Sequence, residues 1–286
     1  MSDAGEELLR GEVERYLADY RAWYRAGESK DLRIGMPRLL PGREGGVGII
    51  VLHGYMAAPE EVAVLGERLN ALGLTVYLPR LPGHGTSPGN LASVGWTDWA
   101  GVADGAWRLV SGLCRQWVIA GFSTGAGLAL HEAAIHPGRY AALVSMSAPL
   151  GLVLAPGPFV RFGDRLIAAA RHAGLAGSGA GFFANHPDNP GINYRRNCIH
   201  GVAEVQRLMR VVRKELGSIA MPALVMQGSG DRVVRRNSAR IIHDALGSSN
   251  KRLALVESES HCIVRGKALE PVMDEITCFL GENRLA

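Results

Sequence analysis

Residues 117–125 read Trp117-Val118-Ile119-Ala120-Gly121-Phe122-Ser123-Thr124-Gly125. The run Trp117–Ala120 is short, apolar and partly β-branched, which predicts a buried strand. The stretch Thr124–His136 that follows has the composition and length of a helix. Between them, Gly121 and Gly125 bracket Ser123 in a Gly-x-Ser-x-Gly pattern. Flanking glycines permit a turn so tight that the serine is held in a strained conformation with its hydroxyl exposed. The helix that follows points its N-terminus at the same spot, which favours developing negative charge. The pattern is short enough to arise by chance. Its weight comes from the strand before it and the helix after it.

The same alternation extends in both directions. Val47–Leu52, Leu74–Leu78, Ala141–Ser147, Ala223–Gln227 and Arg252–Val256 read as strands. Pro59–Leu72, Thr97–Leu113, Arg235–Leu246 and Ala268–Leu280 read as helices between or after them. Continuous apolar strands separated by crossover helices imply a doubly wound, mostly parallel α/β sheet covered on both faces.

Two regions break the period. Residues 1–45 form an N-terminal extension, with an amphipathic helix over the first 26 residues and a Gly/Pro-rich linker. Leu9, Val13, Tyr16, Leu17, Tyr20, Trp23 and Tyr24 share one face, which predicts packing on the main domain. That domain spans residues 46–286. Within it, residues 150–217 form an insertion, with helices near Phe162–His172 and Val202–Leu216 joined through a Gly-rich stretch, Gly174–Gly181. An insertion leaving the strand ends lies over the C-terminal edge of the sheet, where ligands of such folds bind.

A serine hydroxyl is a poor nucleophile until a base takes its proton. Nine histidines compete for that role. His261 follows the last strand, in a loop at the sheet's C-terminal edge. His131, His136 and His243 fall within or at the ends of helices, where packing or capping explains them. His172, His186 and His200 belong to the insertion and read as surface residues. An acid must orient the imidazole and stabilise its charged form. Asp231, in Gly228-Ser229-Gly230-Asp231-Arg232, directly follows the strand Ala223–Gln227. Alone it reads as a turn former; together with Ser123 and His261 it completes the chain order Ser, Asp, His, each residue after a separate strand. His53-Gly54-Tyr55 closes the first long strand. The backbone N–H groups of Tyr55 and Thr124 are candidate oxyanion donors, while His53 reads as a brace for the loop.

These motifs resemble the α/β-hydrolase superfamily, and within it the serine carboxylesterase and monoacylglycerol lipase branch. Leu52-His53-Gly54-Tyr55, Leu81-Pro82-Gly83-His84-Gly85-Thr86-Ser87-Pro88, Gly121–Gly125, Gly228–Asp231 and Ser260-His261 carry the resemblance. It implies Ser123 as nucleophile, Asp231 as acid, His261 as base, Tyr55 and Thr124 as oxyanion donors, and residues 150–217 as a lid. Relatives that are dehalogenases or epoxide hydrolases have an Asp at the nucleophile position, where this chain has Ser123. The expected activity is hydrolysis of carboxylic esters, either short-to-medium acyl esters or monoacylglycerols, through an acyl-enzyme. The same three residues also suit an amidase, peptidase or thioesterase, and the fold alone suits a non-enzymatic ligand receptor.

Composition narrows the partners. The chain has 286 residues, 47% hydrophobic and 20% charged, with a formal net charge of +4; this is a globular composition. Of its 31 basic residues only four are Lys, and the basic residues are interleaved with acids and not grouped with aromatics, so nucleic acid is not an expected partner. Cys114, Cys198, Cys262 and Cys278 are widely spaced and form no metal-ligand pattern, which implies reduced thiols, a cytoplasmic location, and neither metal nor cofactor. The stretch Met1–Arg10 carries Asp3, Glu6 and Glu7 and is not read as a secretory signal. Ala141–Val160 is uncharged and long enough to span a bilayer, but Pro149, Pro156 and Pro158 would break such a helix. A small-molecule ester is the expected partner.

Overall fold

The structure, a computed structural model, describes residues 3–153, 158–177 and 179–286. Met1, Leu154, Pro156, Gly157 and Ser178, which enter the readings above, lie outside the described residues. In chain order the elements are α1 (Asp3–Trp23), β1 (Arg38–Leu40), β2 (Val47–Leu52), α2 (Ala63–Ala71), β3 (Thr75–Leu78), α3 (Pro88–Leu91), α4 (Trp96–Val110), β4 (Gln116–Phe122), α5 (Thr124–Ile135) and β5 (Ala142–Met146). Then come α6 (Pro158–His172), β6 (Phe182–Ala184), β7 (Arg196–Cys198), α7 (Ile199–Glu215), β8 (Ala223–Gly228), α8 (Ser238–Ala245), β9 (Lys251–Val256) and α9 (Leu269–Glu282).

A seven-stranded sheet in the order β1-β3-β2-β4-β5-β8-β9 forms the centre, and every pairing but β1 with β3 is parallel. This is the doubly wound, mostly parallel sheet that the alternation implies and the α/β-hydrolase fold that the resemblance implies. All six residues of β2 are buried, because its two faces meet different helix layers. Ile50 and Leu52 join Trp99, Leu128 and Leu208 on one side, while Ile49 and Val51 join Leu65, Val272 and Phe279 on the other. Fully burying one such side chain contributes roughly 1.5–3 kcal/mol. Helix α5 is buried nearly all round, since it lies between the sheet and helices α4 and α7.

The structure adds to the sequence reading at four places. The Gly/Pro-rich linker contains β1, an antiparallel edge strand with Arg38 opposite Leu78. Strand β4 runs on through Gly121 and Phe122. Helix α8 begins at Ser238, three residues after the expected start at Arg235, because Val233 and Val234 donate their N–H groups to Asp231 Oδ1 at 2.8 and 2.9 Å and hold the chain in a turn. The insertion contains a two-stranded antiparallel pair, β6 with β7, besides its two helices. Within the uncharged run Ala141–Val160, the described residues include β5 and the first residues of α6. Among the described residues no helix is long and apolar enough to cross a membrane.

Helix α1 packs on the loop after β3. Tyr16 is buried, with its hydroxyl 2.7 Å from the Leu32 carbonyl oxygen and 3.1 Å from that of Gly85. Arg80, also buried, pairs with Asp19. The insertion follows β5 and returns to β8. Its helices are joined by ion pairs: Asp164 of α6 accepts from Arg207 of α7 at 2.8 Å and lies 3.0 Å from His200 Nδ1.

Candidate active site

Ser123 stands where β4 ends and α5 begins, with φ 53° and ψ −120°. A residue with a side chain rarely adopts this conformation, so surrounding structure must impose it. A Cβ on Gly121 would lie 2.2 Å from the Gly125 carbonyl oxygen, and one on Gly125 would lie 2.2 Å from that of Leu52. Any other residue at either position would force the turn open. Ser123 donates its own N–H to Met146 at 2.8 Å, which continues the sheet ladder to the turn.

The structure brings the three sequence-selected side chains together. His261 Nε2 lies 2.9 Å from Ser123 Oγ, and Nδ1 lies 2.8 Å from Asp231 Oδ2. Asp231 is buried. Burial alone would raise its carboxyl, but the hydrogen bond and charge of His261 and the N–H groups of Val234 and Val233 outweigh that and hold it below the usual range. An ionised Asp231 fixes the imidazole with Nδ1 protonated and Nε2 free to accept the serine proton. The Phe122 ring packs on His261, with centroids 5.1 Å apart.

Tyr55 and Thr124, the candidate oxyanion donors, both line the cavity that contains Ser123. Thr124 opens α5, and the first N–H groups of a helix have no partner within it. The loop carrying Tyr55 is braced by His53, whose Nδ1 lies 2.9 Å from the Gly54 carbonyl oxygen and whose Nε2 accepts from Leu81 N–H at 3.2 Å. Burial and the neighbouring His84 ring hold His53 well below the usual histidine range. A neutral imidazole can donate through one nitrogen and accept through the other, as this brace requires. The loop is also tied to the insertion: Tyr55 donates its hydroxyl proton to Asn197 Oδ1 at 2.8 Å.

The cavity encloses about 550 Å³, a volume suited to a small molecule. Leu152, Val160, Ile199, Val202 and Val233 belong to its apolar lining, and Asn185, Asp188, Asn189 and Asn193 to its polar lining. Phe159 lies at the cavity yet is 78% exposed. One sequence reading changes here: His200 is engaged with Asp164 and is not a plain surface histidine, whereas His186 is exposed, as read, and also lines the cavity. On α7, Arg207 pairs with Asp164 and Glu204, and Arg213 donates to the Leu150 carbonyl at 3.0 Å, while Arg210 and Lys214 are exposed. Sequence reasoning passed over Glu61. It lines the cavity, is only 3% exposed, and is pushed up to about 7 by burial. Its signal was faint, an acid in the first turn of a helix, where acids are common.

Known proteins resemble this chain in sequence and in fold. The chain is 26% identical over 225 residues to a thermostable monoacylglycerol lipase of Bacillus sp. strain H-257, covering 76% of this chain and 83% of that protein. It is 24% identical over 250 residues to a carboxylesterase of Bacillus subtilis strain 168, covering 87% and 98%. A solved structure described with the metagenome-derived lipolytic enzymes LipS and LipT superposes with a TM-score of 0.74 at 24% identity, covering 86% of this chain and 97% of that one. Residues 47–267 match the model of the Hydrolase_4 family, described as serine aminopeptidase, S33, and the chain belongs to that family of α/β hydrolases.

Proposed function

We propose that this protein is a serine hydrolase that cleaves carboxylic esters, with Ser123 as nucleophile, His261 as general base and acid, and Asp231 as the orienting carboxylate. One observation carries the reading: an unbroken hydrogen-bonded chain from buried Asp231 through His261 to a strained Ser123 on the wall of a largely apolar cavity. The relatives named monoacylglycerol lipase and carboxylesterase support the ester chemistry.

Ser123 Oγ attacks the ester carbonyl while its proton passes to His261 Nε2, and Asp231 stabilises the imidazolium. The carbonyl oxygen becomes an oxyanion facing the N–H groups of Tyr55 and Thr124. Collapse breaks the bond to the alcohol, which leaves with the proton from His261. Water, deprotonated by the same imidazole, then attacks the acyl-enzyme and frees the acid and Ser123. His261 must be neutral to accept the serine proton at the start of each cycle.

Residues 46–286 act as the hydrolase domain and residues 150–217 as its lid, with 1–45 as an extension that packs on it. The apolar lining of the cavity receives the acyl chain, so short-to-medium acyl esters and monoacylglycerols are the preferred substrates. Four unpaired cysteines support a cytoplasmic location. The test is labelling by a fluorophosphonate probe followed by peptide mapping. Covalent addition at Ser123, with loss of activity towards p-nitrophenyl butyrate, supports the reading; an unlabelled protein, or a label elsewhere, defeats it.

A further inference from the structure

Glu61 is the buried acid beside this site that the mechanism above does not use. It belongs to the short 3-10 turn Pro59–Val62 after the Tyr55 loop, and its Oε2 accepts the Gly54 N–H at 2.8 Å. Gly54 lies in a narrow gap between this carboxyl and the serine. A Cβ there would sit 2.9 Å from Glu61 Oε2 and 3.3 Å from Ser123 Cβ. The turn is itself anchored, since Arg265 donates to the Glu60 carbonyl at 2.6 Å. The other groups facing the carboxyl are Asn193 of the insertion, His261, Cys262 and Arg265.

Consider what fixes the direction of the Tyr55 N–H. A trans peptide is planar, and its C=O and N–H point to opposite sides. His53 holds the Gly54 carbonyl, which sets the plane of the Gly54–Tyr55 peptide. Glycine has the loosest backbone of any residue, so a hold on the carbonyl alone leaves rotation about the preceding bonds. Glu61 supplies the second hold, on the Gly54 amide. The two anchors grip one residue from both ends, next to the serine that reacts.

We propose that Glu61 is a positioning residue for ester hydrolysis: its side-chain oxygen fixes Gly54 so that the adjacent Tyr55 N–H stays aimed at the oxyanion formed over Ser123. The proposal rests on the roles given to Ser123 and Tyr55 above. It differs from a purely structural role in what it affects. A misdirected oxyanion donor weakens the transition state and leaves ground-state binding nearly alone.

The experiment compares wild type with Glu61→Leu and Glu61→Gln, reading kcat and KM for p-nitrophenyl butyrate and the affinity for a trifluoromethyl ketone, whose adduct with serine carries an oxyanion. For Glu61→Leu we expect kcat to fall about 10- to 100-fold with KM within about twofold, and ketone affinity to fall by the same factor as kcat/KM. Glu61→Gln keeps a carbonyl oxygen for the Gly54 N–H, so it should restore kcat to within about threefold of wild type. Where leucine impairs folding, judged by circular dichroism, Glu61→Ala is read in the same way. A folded Glu61→Leu or Glu61→Ala variant with wild-type kcat, a loss confined to KM, or a glutamine no better than leucine each overturns the proposal. Fluorophosphonate labelling of wild type separates the two levels. If Ser123 is not labelled, the underlying reading fails; if it is labelled and Glu61→Leu is normal, only the role of Glu61 fails.

Discussion

The sheet edge beneath the cavity and the insertion above it are built on opposite principles. At the edge, position is set by backbone: the Ser123 turn, the two glycines no Cβ could replace, and an Asp231 held by two main-chain N–H groups. Over the cavity, position is set by side chains reaching between helices, with Asp164 on Arg207 and His200, and Arg213 on the Leu150 carbonyl. The edge is buried; the insertion exposes Phe159, Phe162 and Leu166 on one helix. Backbone-set geometry cannot drift without breaking the sheet, whereas side-chain contacts between helices can rearrange without disturbing it. Under the proposed function, this difference places rate with the edge and selection with the insertion.

The largest expected effects test the edge. Ser123→Ala should leave the fold intact and lower kcat on the order of 10⁶-fold, while Asp231→Asn should lower it by on the order of 10⁴-fold, because the acid orients and does not react. Ester turnover by purified variants measures both. Wild-type activity in Ser123→Ala would remove the edge from the chemistry altogether.

A second test uses the acid buried at the edge. The Glu61 carboxyl titrates at about 7 in the folded protein against 4.5 when exposed. The folded state therefore holds the proton more tightly, and the stability this contributes is complete below pH 4.5 and lost as the pH rises through 7. Urea unfolding of wild type and Glu61→Gln should show their stability difference shifting in favour of the variant by on the order of 3 kcal/mol between pH 4.5 and 8. A pH-independent difference would mean that Glu61 is solvated and not held as described.

The edge was also the more legible region in the sequence. Ser123, Asp231 and His261 could be chosen because each follows a strand written in continuous apolar residues, and strand order fixes which loops meet. β1 was hidden because three residues between glycines and prolines carry too little pattern to reveal an antiparallel edge. β6 and β7 failed for the same reason, since Arg196-Asn197-Cys198 has no apolar alternation. Glu61 looked like any acid opening a helix; only the fold shows its oxygen meeting Gly54. The pairing of Arg207 on α7 with Asp164 on α6 depends on a helix packing that no local signal encodes.

Selection by the insertion should appear as a graded effect. Each buried methylene contributes about 0.8 kcal/mol, or about fourfold per carbon, until the apolar part of the cavity is filled. Val202 of α7 belongs to the apolar lining. Val202→Phe should move the optimum of kcat/KM to shorter p-nitrophenyl esters by roughly two carbons, since a benzyl group replaces a branched methyl pair, with acetate hydrolysis changed by less than about twofold. A parallel drop at every chain length would instead place Val202 with the rate-setting edge and blur the division.

The smallest expected effect concerns the side chain that belongs to both regions. In the proposed mechanism Tyr55 gives its backbone N–H to the oxyanion, while its hydroxyl donates to Asn197 of β7. Tyr55→Phe keeps the N–H and the ring that packs near His84 and Trp99, and it deletes only the tie to the insertion. A single hydrogen bond of this kind contributes about 1 kcal/mol, and Asn197 Oδ1 retains the Cys198 N–H at 2.8 Å. If the insertion helps hold the oxyanion loop, kcat should fall about three- to fivefold, with the chain-length profile keeping its shape. If the two regions are independent, kcat stays at the wild-type value and only the unfolding midpoint drops. A kcat loss together with a changed chain-length profile would show that rate and selection share this residue, and the boundary between edge and insertion would then run through Tyr55.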